Sequence, residues 1–288
     1  MIALPASIVT RPRRRRLACR AFVLAAVFAI GATANVQAAA ALPARENFHL
    51  FLLAGQSNMA GRGPLDDAAR TPSARVFSLN QAGQWQPAVD PLHWDKTVAG
   101  VGVGRSFAEV VATKNPGISI GLIPAACGGS PLSAWAPGQY FEPTKSHPYD
   151  DAIARAKRAL QDGTLKGILW HQGESDATAK DAPLYGQRLE ALITQLRQEL
   201  NAPNLPVIIG QVGRFSAAPW TPERQAVDAA QQAVAKKMKN VRFVSAEGLT
   251  ANADNIHFAT ASLRTFGQRY AAAFLELTDA AKTKATAP

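Results

Sequence analysis

From Phe48 onward, short and mainly apolar runs alternate with stretches whose apolar residues recur every three to four positions. The runs are FHLFLL at 48–53, ISIGLI at 118–123, GILW at 167–170, PVIIGQV at 206–212 and the segment from Val241 to Val244. Between them the spacing predicts helices over 103–114, 149–161, 182–200, 221–239 and 260–278. Strands with no polar alternation must be covered on both faces, and helical crossovers supply that cover. The expectation is therefore an α/β chain with a parallel sheet between two helical layers. The weakly patterned stretch from Arg62 to Val101 reads as loops with small β elements. No Pro/Ser-rich linker interrupts residues 39–288, which are read as one domain.

The formal charge of +10 at first suggests a nucleic-acid partner, but its location argues otherwise. Arg11, Arg13, Arg14, Arg15, Arg16 and Arg20 crowd the first 20 positions, and no acidic residue precedes Glu46. An apolar run from Ala21 to Ile30 follows, then small residues around Ala38. A basic head, a short apolar stretch and an Ala-x-Ala-like site make residues 1–38 a secretory signal peptide. The run is shorter than the roughly 20 apolar residues needed to span a bilayer. The chain is expected to be exported to periplasm or medium, with no stable membrane insertion after cleavage and no nucleic-acid partner. Without the leader, 25 basic residues face 21 acidic ones. Cys127 is then the only thiol, so no intramolecular disulfide is expected.

In open parallel sheets, ligands bind beyond the carboxyl ends of the strands. Polar residues stand where four apolar segments stop. GQSNMAG (55–61) follows the first run, CGGS (127–130) the second and HQGESD (171–176) the third, while DNIH (254–257) precedes the last helix. Together they supply the parts of an acyl-transfer site. Ser57 is the candidate nucleophile, and serine needs a base to take its proton. His257 is the candidate base, and Asp254 can hold its other ring nitrogen. The N–H groups of Ser57 and Gly129 and the side-chain amide of Gln172 are candidate oxyanion donors. Glu174 is the alternative acid.

Gly-x-Ser-x-x-x-Gly near the start with Asp-x-x-His near the end resembles the SGNH hydrolase superfamily. GQSNMAG, GGS, WHQGESD and DNIH in that order look like carbohydrate esterase family six, which includes acetyl xylan esterases and sialate O-acetylesterase-like proteins. The stretch from Pro91 to Ala108 also resembles that family. The resemblance implies a flavodoxin-like fold of about five parallel strands. It implies Ser57 as nucleophile, His257 as base, Asp254 as orienting acid, and Gly129 and Gln172 at the oxyanion. It further implies an acetylated carbohydrate as substrate and no cofactor. Two residues depart from the pattern. Arg105 stands where a small or apolar residue is expected, at a pocket rim, and Cys127 before GGS has no account.

Two other readings stay open: a non-sugar carboxylesterase of the same superfamily, and a carbohydrate-binding protein without catalysis. His93 with Asp95, and His171 with Glu174, each resemble half a metal site. With five histidines and no His-Glu-x-x-His spacing, the chain is not expected to use a metal. Trp135 and Tyr140 could stack on a sugar or anchor their loop.

Overall fold

A computed structural model describes residues 42–286. The signal peptide read at 1–38 lies outside the described residues.

The apolar runs form the strands β1 (Phe48–Gly55), β4 (Ser119–Pro124), β5 (Thr164–His171), β6 (Val207–Gly210) and β7 (Val241–Val244). Two further strands, β2 (Val76–Leu79) and β3 (Trp85–Pro87), come from the weakly patterned excursion. The sheet order is β3-β2-β4-β1-β5-β6-β7. Six strands are parallel, and β3 pairs antiparallel with β2 at the edge through Leu79↔Trp85. The expectation of about five parallel strands is thus corrected upward. A four-residue strand such as β2, with polar Ser78 in it, carries almost no periodic signal; its pairing with β4 from Val76↔Ile120 to Ser78↔Leu122 defines it.

Helices follow the expected stripes: α3 (Gly104–Lys114), α4 (Pro148–Ala159), α5 (Tyr185–Glu199), α6 (Pro222–Lys237) and α7 (Thr260–Thr286), after the short α1 (Ser57–Ala60) and α2 (Asp67–Arg70). Successive β1 side chains point to opposite faces, so one strand feeds both cores. Phe51 and Leu53 join Phe107 of α3 and Phe266 of α7, whereas Leu50 and Leu52 join Leu189 of α5 and Val227 of α6. Phe51 packs edge-on against Phe107 at 4.8 Å and Phe274 at 4.9 Å between ring centroids. Each such fully buried side chain contributes about 1.5–3 kcal/mol. Among the described residues, no helix is long and apolar enough to cross a membrane.

Arg105 lines a small cavity of about 80 Å³ with Asp90, Glu109 and Arg264, not the cavity bordered by Cys127. It is buried, and its guanidinium donates to the carbonyls of Ala68, Ala69 and Thr71 and lies 3.5 Å from Asp90. A long cation is needed there because it satisfies carbonyls of the excursion that no sheet ladder reaches.

From β1 the chain passes out to β2 and the edge strand β3, returns to β4 between β2 and β1, then crosses to β5 on the other side of β1. That reversal leaves a crevice beyond the carboxyl ends of β1, β4 and β5. The polar segments at 55–61, 127–130 and 171–176 all begin there.

Candidate active site

The site begins with a close approach of two strands. Gly55 ends β1 at φ +128°, and a Cβ there would lie 2.1 Å from the His171 carbonyl oxygen. Only glycine permits that turn. Gln56 N–H donates to His171 O at 2.8 Å, and Ser57 opens α1 immediately afterwards.

Across the crevice, the loop before α7 presents His257. Its Nε2 lies 2.9 Å from Ser57 Oγ, and its Nδ1 lies 2.6 Å from Asp254 Oδ2. Asp254 Oδ1 accepts the backbone N–H groups of Ile256 and His257, each at 2.9 Å, which fixes the loop. A neutral ring donating from Nδ1 to Asp254 leaves Nε2 free to accept the Ser57 hydroxyl proton. Partial burial pushes the Asp254 carboxyl upward, yet the hydrogen bonds from the His257 backbone and ring and from Ile256 N–H outweigh it. They hold the group below the ordinary carboxylate range.

Glu174, the alternative acid, does not hydrogen-bond to His257. Its Oε1 accepts from Asn58 Nδ2 at 2.6 Å, and its Oε2 is buried without a hydrogen-bond partner. Of the two carboxylates, Asp254 is therefore the one that orients the imidazole.

Gly129 adopts φ +86° in the turn after β4. Among the described residues, neither its N–H nor that of Ser57 has a protein acceptor. Gln172 is a correction. Its amide is fully buried, and Nε2 donates to Ser130 O at 3.1 Å and Asp176 Oδ2 at 2.5 Å. Both of its N–H groups are therefore committed away from the crevice, and the side chain braces the turn carrying Gly129 instead of facing an oxyanion.

Four further residues complete the site, of which the sequence singles out only Asp95, as half a metal site with His93. Asn58 is almost fully buried; it gives Nδ2 to Glu174 and takes Phe258 N–H on Oδ1 at 3.1 Å. Gln56 Oε1 accepts Gly173 N–H at 3.4 Å and Ser175 N–H at 3.3 Å. Arg62 and Asp95 form a buried ion pair at 2.6 Å, and Asp95 Oδ2 also accepts Gly128 N–H at 2.8 Å. The available signal was local: Gln56 and Asn58 flank Ser57 inside an otherwise apolar, buried run.

The remaining candidates are structural. His171 is buried between Phe258 and Phe266, its Nε2 meets Gln211 O at 2.9 Å, and burial lowers its pKa. Trp135 packs against Trp170 and donates to Ser130 Oγ at 2.9 Å, so it anchors its loop, whereas exposed Tyr140 makes a tilted ring contact with His147. Among the described residues there is no group of three side chains able to hold a metal ion. Burial pushes the Cys127 thiol up to about 11, which makes it a poor nucleophile at neutral pH.

Known proteins share this arrangement of chain. The family described as carbohydrate esterase, sialic acid-specific acetylesterase, matches residues 47–276. A probable carbohydrate esterase from Arabidopsis thaliana is 34% identical over 248 residues, covering 78% of this chain and 90% of that protein. Human sialate O-acetylesterase is 27% identical over 202 residues, covering 58% of this chain and 38% of its own length. The X-ray structure of an Arabidopsis thaliana protein superposes with a TM-score of 0.70 at 33% identity, covering 80% of this chain and 98% of that one. At 23% identity and a TM-score of 0.61, a carbohydrate acetylesterase from Xanthomonas citri has the same fold, covering 79% of this chain and 56% of its own. The α/β fold and a family match over residues 47–276 lead to one identification. The chain belongs to the carbohydrate esterase, sialic acid-specific acetylesterase family and is a carboxylic ester hydrolase.

Proposed function

We propose that this protein removes O-acetyl groups from carbohydrates through an acetyl-enzyme on Ser57, and that it works outside the cytoplasm after loss of residues 1–38. The observation that supports the mechanism is the unbroken line from Ser57 Oγ through His257 to Asp254. Ser57 Oγ attacks the acetyl carbonyl carbon while its proton passes to His257 Nε2. Asp254 stabilises the resulting imidazolium and keeps the ring in register. The tetrahedral oxyanion accepts from the N–H groups of Ser57 and Gly129, each donor worth about 3–4 kcal/mol in the transition state. The sugar oxygen then leaves, taking the proton from Nε2. Water adds to the acetyl-enzyme by the reverse path, releasing acetate and restoring the Ser57 hydroxyl. No step requires a cofactor.

Acetate release from acetylated xylan and from 4-nitrophenyl acetate, compared between the wild type and Ser57→Ala, tests this reading. Release that disappears in the variant is expected. Equal release by both proteins would overturn the assignment of Ser57. Preference for long-chain acyl esters over both substrates would favour the non-sugar carboxylesterase.

A further inference from the structure

Beside the Ser57 turn, on the β4 side, lies a cavity of about 550 Å³ whose lining includes Trp94, Asp95, Cys127, Lys145, Asp151 and Arg155. Its floor is the Pro124–Cys127 segment leaving β4. Cys127 N–H donates to Gly55 O at 2.9 Å, which places that floor against the end of β1, two residues before Ser57. Asp95 belongs to both places: it lines the cavity and accepts the N–H of Gly128 from the turn that carries Gly129.

We infer that this cavity is a subsite for a sugar ring of the esterified glycan. The inference rests on the carbohydrate esterase reading and adds to it the place where the alcohol portion of the substrate is held. Three features carry it. Trp94 is a large apolar side chain left 39% exposed; the Arg155 guanidinium lies over one face of its ring, 4.5 Å from the centroid, so only the other face is offered to a ligand. A flat indole beside fixed polar groups suits the C–H face and the hydroxyl rim of a sugar.

The polar groups are mixed in sign. Arg155 spends three N–H bonds on the carbonyls of Pro124, Asn80 and Leu79, which immobilises it and leaves two of its five donors. Asp151 Oδ2 accepts His147 N–H, and its exposed carboxylate retains further lone pairs. Lys145 is exposed at the mouth. Donors and acceptors on one wall match hydroxyl groups, each of which both donates and accepts.

Arg155 and the Arg62–Asp95 pair are also prearranged. Rigid groups at the edge of the crevice bind with little ordering cost.

The test compares kcat/KM on two acetylated sugars with kcat/KM on 4-nitrophenyl acetate, in the wild type, Trp94→Ala and Lys145→Ala. Partly acetylated xylo-oligosaccharide is the neutral sugar, and O-acetylated N-acetylneuraminic acid the acidic one. Trp94→Ala is expected to lower the sugar-to-small-ester ratio about tenfold for the sugar that is used, mainly through KM. A larger effect of Lys145→Ala on the acidic sugar would identify a carboxylated ring as occupant; equal or no effect of Lys145→Ala would identify a neutral one. A ratio unchanged in Trp94→Ala for both sugars would overturn the subsite. Should the wild type release no acetate at all, the esterase reading fails on its own account. The subsite is then read by saturation transfer between the Trp94 indole and either sugar. Transfer that is lost in Trp94→Ala supports the subsite, and its absence in the wild type overturns it.

Discussion

Glu174 Oε1 sits 2.6 Å from Asn58 Nδ2, and this contact decides which way the Asn58 amide faces. Because a carboxylate only accepts, Nδ2 must turn to Glu174, and Oδ1 then meets Phe258 N–H on the loop carrying His257. Glu174 is therefore expected to act as a positioning residue through Asn58. Glu174→Ala is expected to lower kcat about ten- to a hundredfold, the worth of a hydrogen bond to a charged group, with KM little changed. Glu174→Gln, whose amide oxygen still accepts, should recover most of the loss. A steady-state comparison of the two variants on 4-nitrophenyl acetate checks both halves; equal damage by Ala and Gln would contradict the positioning role.

The two carboxylates near the imidazole should separate under mutation. Asp254→Asn removes the partner that fixes the His257 tautomer, and a fall in kcat of about 10²–10⁴ is expected. That loss should exceed the loss from Glu174→Gln by at least about tenfold. Labelling by a serine-directed phosphonate offers an independent readout, since it should slow sharply in Asp254→Asn and only mildly in Glu174→Gln.

The buried pair of Arg62 and Asp95 ties three loops together. Arg62 Nη1 donates to Gly61 O at 2.7 Å beside the Ser57 turn, Asp95 holds Gly128 N–H, and Arg62 O accepts Asn252 Nδ2 at 2.9 Å before the His257 loop. Asp95→Ala strands a buried guanidinium and is expected to cost about 3–5 kcal/mol of stability. Gly128→Ala would place a Cβ 2.3 Å from Arg62 Nη2 and 2.5 Å from Asp95 Oδ2. Urea denaturation should show both variants to be less stable. Gly128→Ala should also lose activity at urea concentrations where it remains folded.

Stability should carry a signature of Asp90. Burial raises its pKa to about 7 although Arg105 lies 3.5 Å away, and its Oδ1 has no hydrogen-bond partner. From the ordinary value near 3.8 up to about 7, the folded chain keeps a proton that the unfolded chain releases. Folding stability is therefore lost as pH rises through that window. Asp90→Asn removes the effect, so its gain in Tm over the wild type should be larger at pH 8 than at pH 5. Taking the difference at each pH cancels buried His93, whose pKa is lowered by burial to about 4 and whose contribution runs in the opposite direction. A gain that shrinks toward pH 8 would contradict the assignment.

Much of this molecule is legible in its sequence. Continuous apolar runs and 3.6-residue stripes located five of the seven strands and all five long helices. The rule that ligands gather at strand ends points to Ser57 and to the loop of Asp254 and His257, which the structure brings within hydrogen-bond reach of one another. Three readings failed, for one shared reason. The sequence points Gln172 at the oxyanion and Arg105 at a pocket rim, and leaves β2 among loops with small β elements outside the parallel sheet. Each depends on a partner distant in sequence: Ser130 for Gln172, the Ala68–Thr71 carbonyls for Arg105, and β4 for β2.

Local pattern reports which face of an element is apolar, because period 2 or 3.6 is written along the chain itself. That was enough to specify a doubly wound sheet and the edge at which its polar loops collect. Local pattern does not report what a buried polar group bonds to, since the choice is made by competition among groups brought together only on folding. Asp176 takes the Gln172 amide, Asn58 takes Glu174, and Asp254 is left to hold His257. Sequence determined where the chemistry gathers; tertiary structure decided which side chains face it, because every buried donor must find its acceptor among the neighbours the fold supplies.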